Sequence, residues 1–208
     1  LLSSYKKNIK QDADSIIEKG GKRDLFQVMA NGGIGLLTAV LYSISGSEIW
    51  IVAYATAFAA ANADTWASEI GMLSKKPPVS ILTLRPLLRG TSGGVSSLGI
   101  LASAAGSLII AAVFFVGYGL RFGWGGELPL YETGFIAIAG FIGSIVDSFI
   151  GAGVQAQYSC ALTGEVTEKK WSGGYRNSRT RGIEMINNDA VNFLSGLIAT
   201  GMVLFLIK

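Results

Sequence analysis

Histidine is absent from the 208-residue sequence, and cysteine occurs once, at Cys160. Without an imidazole, His-dependent triads, histidine general bases and His-ligated metals are excluded. A single thiol forms no intramolecular disulfide and argues against a structural zinc site. Charge is also scarce, at 15% of residues, where a soluble domain carries about 25%. There are only four prolines, but 28 glycines, and half the residues are hydrophobic. That composition lacks the polar surface needed to stay in water, and by length it makes one domain. It reads as an all-α, polytopic transmembrane helix bundle.

Five apolar stretches approach the ~20 residues that span a bilayer. They run from about Ala30 to Ser45, Ile49 to Ile70, Gly93 to Gly119, Thr133 to Gly153 and Asp189 to Ile207. Ser45-Gly46-Ser47 is a tight turn, so the first two form a hairpin. Fifteen of the seventeen Lys and Arg fall in three segments: 1–24, the loop 71–92 and the loop 154–188. Only Arg121 and Lys208 lie elsewhere. The positive-inside tendency places those three segments in the cytoplasm, and five crossings satisfy it. The protein is thus expected in a plasma membrane if prokaryotic, or an organelle membrane if from a plant. The opening Leu1-Leu2-Ser3-Ser4 suggests the tail of an earlier apolar helix, with one or more spans preceding it. The net charge of +3 is modest, and no nucleic-acid partner is expected. Oligomeric state is left open.

Ionisable groups at membrane depth cost about 2.5–3.5 kcal/mol each and usually face a cavity, a metal or a substrate. Here Asp64 and Glu69 end the second stretch, Asp147 sits near the end of the fourth, and Asp189 starts the fifth. The loop topology puts all of them at one membrane face. Gly140, Gly143, Asp147 and Gly151 share a stripe on which another helix can pack closely. Asn62 follows the row of Glu69, while Asn188 and Asn192 lie one turn apart beside Asp189. Helix capping or interhelical hydrogen bonding accounts for each of these residues singly. Together, Asp64, Glu69, Asp147 and Asp189 form a candidate catalytic and Mg²⁺-binding set, since Mg²⁺ prefers oxygen ligands shared with substrate phosphates.

The same face carries Arg85-Pro86-Leu87-Leu88-Arg89-Gly90-Thr91-Ser92-Gly93-Gly94. Glycines let backbone N–H groups turn toward an anion, hydroxyls add donors, and the following helix offers its positive end. Arg85 and Arg89 can grip phosphate oxygens. The segment is not a Walker A loop, because no Gly-Lys-Ser/Thr follows. The alternative is an interfacial loop with positive-inside arginines, but loop, arginines and helix start together favour phosphate binding. Arg23, Gln27 and Asn31 lie four apart on one helix face, and interhelical bonding or substrate contact explains them equally. Arg23, Asn31, Asn62, Asn188 and Asn192 complete the candidate phosphate- and nucleotide-contacting set. Most charges of the loop 154–188 read as a headgroup-facing surface, with Lys169 and Arg176 as weak nucleotide candidates.

Three strings, Gln27-Val28-Met29-Ala30-Asn31-Gly32, Ala63-Asp64-Thr65-Trp66-Ala67-Ser68-Glu69-Ile70-Gly71 and Arg89 through Ser96, occur in that order. Gly143 through Ser148, Gly151-Ala152 with Gln155, and Asn188 through Asn192 follow. With them the sequence resembles the integral membrane phytyl-phosphate kinase family of the vitamin E pathway and its prokaryotic relatives. The resemblance covers nearly all of the chain from Arg23 onward. It implies transfer of the γ-phosphate of a nucleoside triphosphate, CTP above all, to an isoprenoid monophosphate with Mg²⁺. The acceptor's tail is then expected between the third and fourth helices, its phosphate at the interface. A CTP-dependent lipid cytidylyltransferase, or a polyprenol kinase, would use the same parts. An ion or small-solute transporter is the reading from another class.

Overall fold

Local polar groups set where each apolar stretch becomes a helix. In the computed structural model, which describes Ile16, residues 24–124 and residues 129–207, five long helices dominate. They are α1 (Leu25–Ser45), α2 (Ile49–Gly71), α3 (Ser97–Phe122), α4 (Leu130–Gly153) and α5 (Asn188–Leu206). The Asp24 carboxylate accepts from the Gln27 N–H at 2.9 Å and starts α1. This is five residues before the expected start, so Gln27 and Asn31 lie within the helix. Gly46 ends α1 in the left-handed region at φ 68°, its N–H bonding the Tyr42 carbonyl, as a C-terminal glycine does. Ser96 caps α3 by accepting from the Gly99 N–H, and Asn187 caps α5 by accepting from the Ala190 N–H.

Among the described residues four helices, α1, α3, α4 and α5, are long and apolar enough to cross a membrane. The fifth expected span, α2, is long enough but rich in alanine and polar in its second half. Its surroundings explain the difference: α2 packs against each of the other four helices. A helix whose neighbours are mostly helices needs small side chains more than oily ones. Gly140 shows how close the approach is, because a Cβ there would lie 2.5 Å from Ser107 Oγ and 2.6 Å from Ala59 Cβ. Val52, Ala59, Phe114, Ile136 and Val203 form an apolar core in the half of the bundle away from the carboxylates.

Among the described residues, three small β sheets cover the other end. β1 (Val79–Ser80) pairs antiparallel with β2 (Gly94–Val95). β3 (Gln157–Ser159) lies between β4 (Val166–Thr167) and β7 (Ser178–Arg181), all antiparallel. β5 (Trp171–Ser172) and β6 (Tyr175–Arg176) form a hairpin through Gly173 and Gly174, both at positive φ, the conformation that tight hairpin turns demand. Buried Asn177 ties these pieces together. Its amide donates to the Lys169 carbonyl and Ser172 Oγ, and its oxygen accepts from the Ala161 N–H, each at 2.8 Å. The loop 154–188, expected as a mostly solvated surface, is therefore a folded unit.

Candidate functional site

At the polar end of the bundle, all five helices, the loop that leads into β2, and Glu168 beside β4 line a cavity of about 350 Å³. This lies within the range of small-molecule sites. Asp64 and Glu69 reach it from α2, Asp147 from α4, and Asn188, Asp189 and Asn192 from the first turns of α5. Gln27 and Asn31 line it from α1. Gly90, Thr91, Ser92, Gly93 and Gly94 form the wall between β1 and α3. Residues separated by more than 160 positions thus share one chamber, and most of the candidate set is in it.

Its geometry refines several expectations. Asp64 and Asp147 are partly buried and within electrostatic reach of one another, and Asp147 is likewise within reach of Glu168. Ser195 Oγ donates to Asp147 Oδ2 at 3.1 Å, fixing that carboxylate from α5. Among the described residues no group of three or more acidic or thiol side chains is gathered so as to hold a metal. The four carboxylates therefore line one chamber without closing into one cage. The Asp64–Asp147 pair, with the amides of Asn31 and Asn192 alongside, is an all-oxygen donor set. That set fits Mg²⁺, which takes one or two carboxylates and leaves positions for water and phosphate oxygens.

The glycine loop does not run straight into a helix start. β2 intervenes, and the N–H of Gly99 is already taken by the Ser96 cap. Within the loop the N–H groups of Thr91, Ser92 and Gly94 are taken as well, by the Leu88 carbonyl, Glu168 and the Thr91 carbonyl, so the backbone donors left for an anion there are those of Gly90 and Gly93. Gly93, at φ 78°, lies so close to α4 that any Cβ would strike Ala152. Arg89 lines the cavity, but its Nη2 donates to the Ser74 and Lys75 carbonyls at 2.7 and 3.4 Å. It thereby holds the loop against the end of α2. Arg85 is elsewhere. The Ser80 N–H bonds the Arg85 carbonyl at 2.9 Å and Leu84 turns through φ 57°, so the tight turn leaves Arg85 exposed and off the cavity wall. Asn62 is not on the wall either; its amide donates to the Gly106 carbonyl at 2.8 Å and joins α2 to α3. Arg23 lies outside the described residues.

Glu168 is the site residue that sequence reasoning missed. It is 5% exposed, lines the cavity, and accepts from both the N–H and the hydroxyl of Ser92. Next to Lys169 and Lys170 it reads as one more solvated charge; only its place beside β4 buries it. Nearby, Arg181 donates to the Ala152 and Gly151 carbonyls at the end of α4. Burial lowers its pKa, and the Glu168 charge opposes that shift. Lys169 and Arg176 do not line the cavity; Arg176 pairs with Glu184 at 3.5 Å.

Residues 1–200 match the family described as Integral membrane protein DUF92, and the chain belongs to that family. It is 30% identical over 217 residues to Protein PGR of Arabidopsis thaliana, covering 96% of this chain and 74% of that one. It is 26% identical over 195 residues to Protein VTE6, chloroplastic, of the same plant, covering 91% and 49%. An uncharacterized membrane protein of Methanocaldococcus jannaschii is 35% identical over 130 residues, covering 62% and 50%. The chain thus spans about half the length of the last two relatives. No solved structure matches it. The family that the motifs resemble and the family matched over the chain are the same.

Proposed function

We propose that the chain is a membrane-embedded kinase that transfers the γ-phosphate of a nucleoside triphosphate, CTP in the first instance, to an isoprenoid monophosphate. The observation that carries this reading is the shared chamber, in which Asp64 and Asp147 face a glycine- and hydroxyl-rich loop at one end of the bundle. Kinship with VTE6, together with the resemblance of the motifs to phytyl-phosphate kinases, supports the choice of acceptor.

In this reading an oxygen of the acceptor phosphate attacks the γ-phosphorus. The bond from that phosphorus to its bridging oxygen breaks, the nucleoside diphosphate leaves, and the lipid becomes a diphosphate. An anionic acceptor needs no general base, which suits a protein without histidine. Positioning and charge neutralisation then carry the catalysis. The N–H groups of Gly90 and Gly93 and the hydroxyl of Thr91 would orient the triphosphate, on a loop that Ser92 anchors to Glu168. Asp64 and Asp147 would hold Mg²⁺, which when bound neutralises charge on the phosphates. The apolar core of Val52, Ala59, Phe114, Ile136 and Val203 in the half of the bundle away from the chamber favours an enzyme over a transporter.

The test is transfer of label. Protein in liposomes with Mg²⁺, γ-labelled CTP and phytyl phosphate should give labelled lipid. Label in pyrophosphate would identify a cytidylyltransferase instead, and no label in either product with any prenyl phosphate would overturn the assignment.

A further inference from the structure

The chamber also has a side. Ile100 on α3 and Ile145 and Ser148 on α4 line it; Ile100 shares the face of Ser107 and Ser148 the row of Gly140, where the two helices meet, and Ile145 lies at the edge of that contact. Ile100 is 39% exposed, whereas Ser103 and Ser107, three and seven residues further along the same face, are 1% and 0% exposed. The seam between α3 and α4 is therefore shut in its lower part and parts at Ile100. The lower seal is the contact of Gly140 with Ser107, whose hydroxyl donates to the Ala137 carbonyl. The upper seal is Gly93 against Ala152. Twelve residues of α4 separate Gly140 from Ala152, a rise of about 18 Å. Between the seals the chamber is lined by Ile100 and Ile145, and this stretch of the seam is the window. Just inside it the Ser103 hydroxyl is buried, lines the chamber and has no hydrogen-bond partner, which a buried donor rarely tolerates.

We propose that this window is a lateral portal through which a lipid phosphate enters from the bilayer. The phosphate end passes Ser103, Ser144 and Ser148 into the chamber, while the tail stays among lipid, held only where it crosses Ile100 and Ile145. This deepens the kinase reading and rests on it. The consequence concerns substrate class. A pocket enclosing the tail would measure its length, whereas a window grips only the carbons next to the phosphate. Acceptors should be single-chain amphiphilic phosphates chosen by their first isoprene unit and not by total length.

The experiment compares geranyl, geranylgeranyl and phytyl phosphates as acceptors in liposomes, with wild type, Ile100→Trp, Ile145→Trp and Leu101→Trp. Leu101 is 69% exposed and does not line the chamber, so its variant is the control for added bulk. Wild type should use the long acceptors with kcat/KM within about threefold of one another, and either isoleucine variant should lose at least about tenfold on them. CTP binding, followed by protection against thermal unfolding, should persist in both variants and shows that they are folded. Transfer that both isoleucine variants leave at the wild-type level, or wild-type transfer that changes steeply with tail length, overturns the portal alone. Absence of transfer by the wild type overturns the kinase reading beneath it.

Discussion

The two halves of α2 face opposite demands. From Ile49 to Ala60 it presents Val52, Ala53, Ala55, Ala57 and Ala59 to its neighbours, all buried, and the helices close on it without room for a side chain at Gly140. From Ala61 to Gly71 it presents Asp64, Thr65, Ser68 and Glu69 to a chamber of about 350 Å³. One continuous helix thus serves as the axis of a packed bundle and as a wall of a polar site. Stability and chemistry are separated along its length. Substitutions in the packed half should change folding, and those in the polar half should change turnover.

The sharpest way to break this contrast is at the carboxylates. Asp147→Asn keeps the shape of the side chain and can still accept from Ser195, but removes a charge. Transfer from γ-labelled CTP should fall by about 10²–10³-fold or more, with the melting profile in detergent little changed. A comparable loss of melting stability would mean that Asp147 is structural. Ser92→Ala tests the wall of the chamber. Losing a hydroxyl bond to a buried carboxylate should cost about 1.5–3 kcal/mol, seen as faster amide exchange and easier proteolysis of residues 86–96. An unchanged loop would show that the contact with Glu168 is incidental. In the packed half, Gly140→Val should cost about 1–3 kcal/mol of unfolding free energy through overpacking, while CTP binding per folded molecule persists. The smallest effect belongs to Cys160. Hydrogen bonds from Thr163 and Ser172 lower its pKa to about 7, so the thiolate prevails above that pH and the thiol below it. Its alkylation rate should rise to half its maximum near pH 7, without loss of transfer by the alkylated protein.

The helices were legible because each is a long run of apolar or small residues, and Ser45-Gly46-Ser47 did mark the hairpin between α1 and α2. Their starts were less so. α1 begins at Leu25 because Asp24 caps it, and the polar Gln27 and Asn31 hide within its first turns. α3 begins at Ser97, since Gly93 and Gly94 belong to the loop and to β2. The convergence of Asp64, Asp147, Asp189 and the glycine loop followed from loop charges alone. The β unit was invisible, for strands of two to four residues fall below any periodicity. Glu168 was hidden with it. Asn62 and Arg85 were misread because an amide or a guanidinium looks the same whether it faces a cavity, a carbonyl or solvent.

The most direct measurement pairs turnover with folding in one variant of the polar half. Asp64→Asn, reconstituted with Mg²⁺, γ-labelled CTP and phytyl phosphate, should transfer no detectable label while melting like wild type. Transfer at the wild-type rate from Asp64→Asn would contradict the account at its centre, because the chamber would then be working without the residue that defines it.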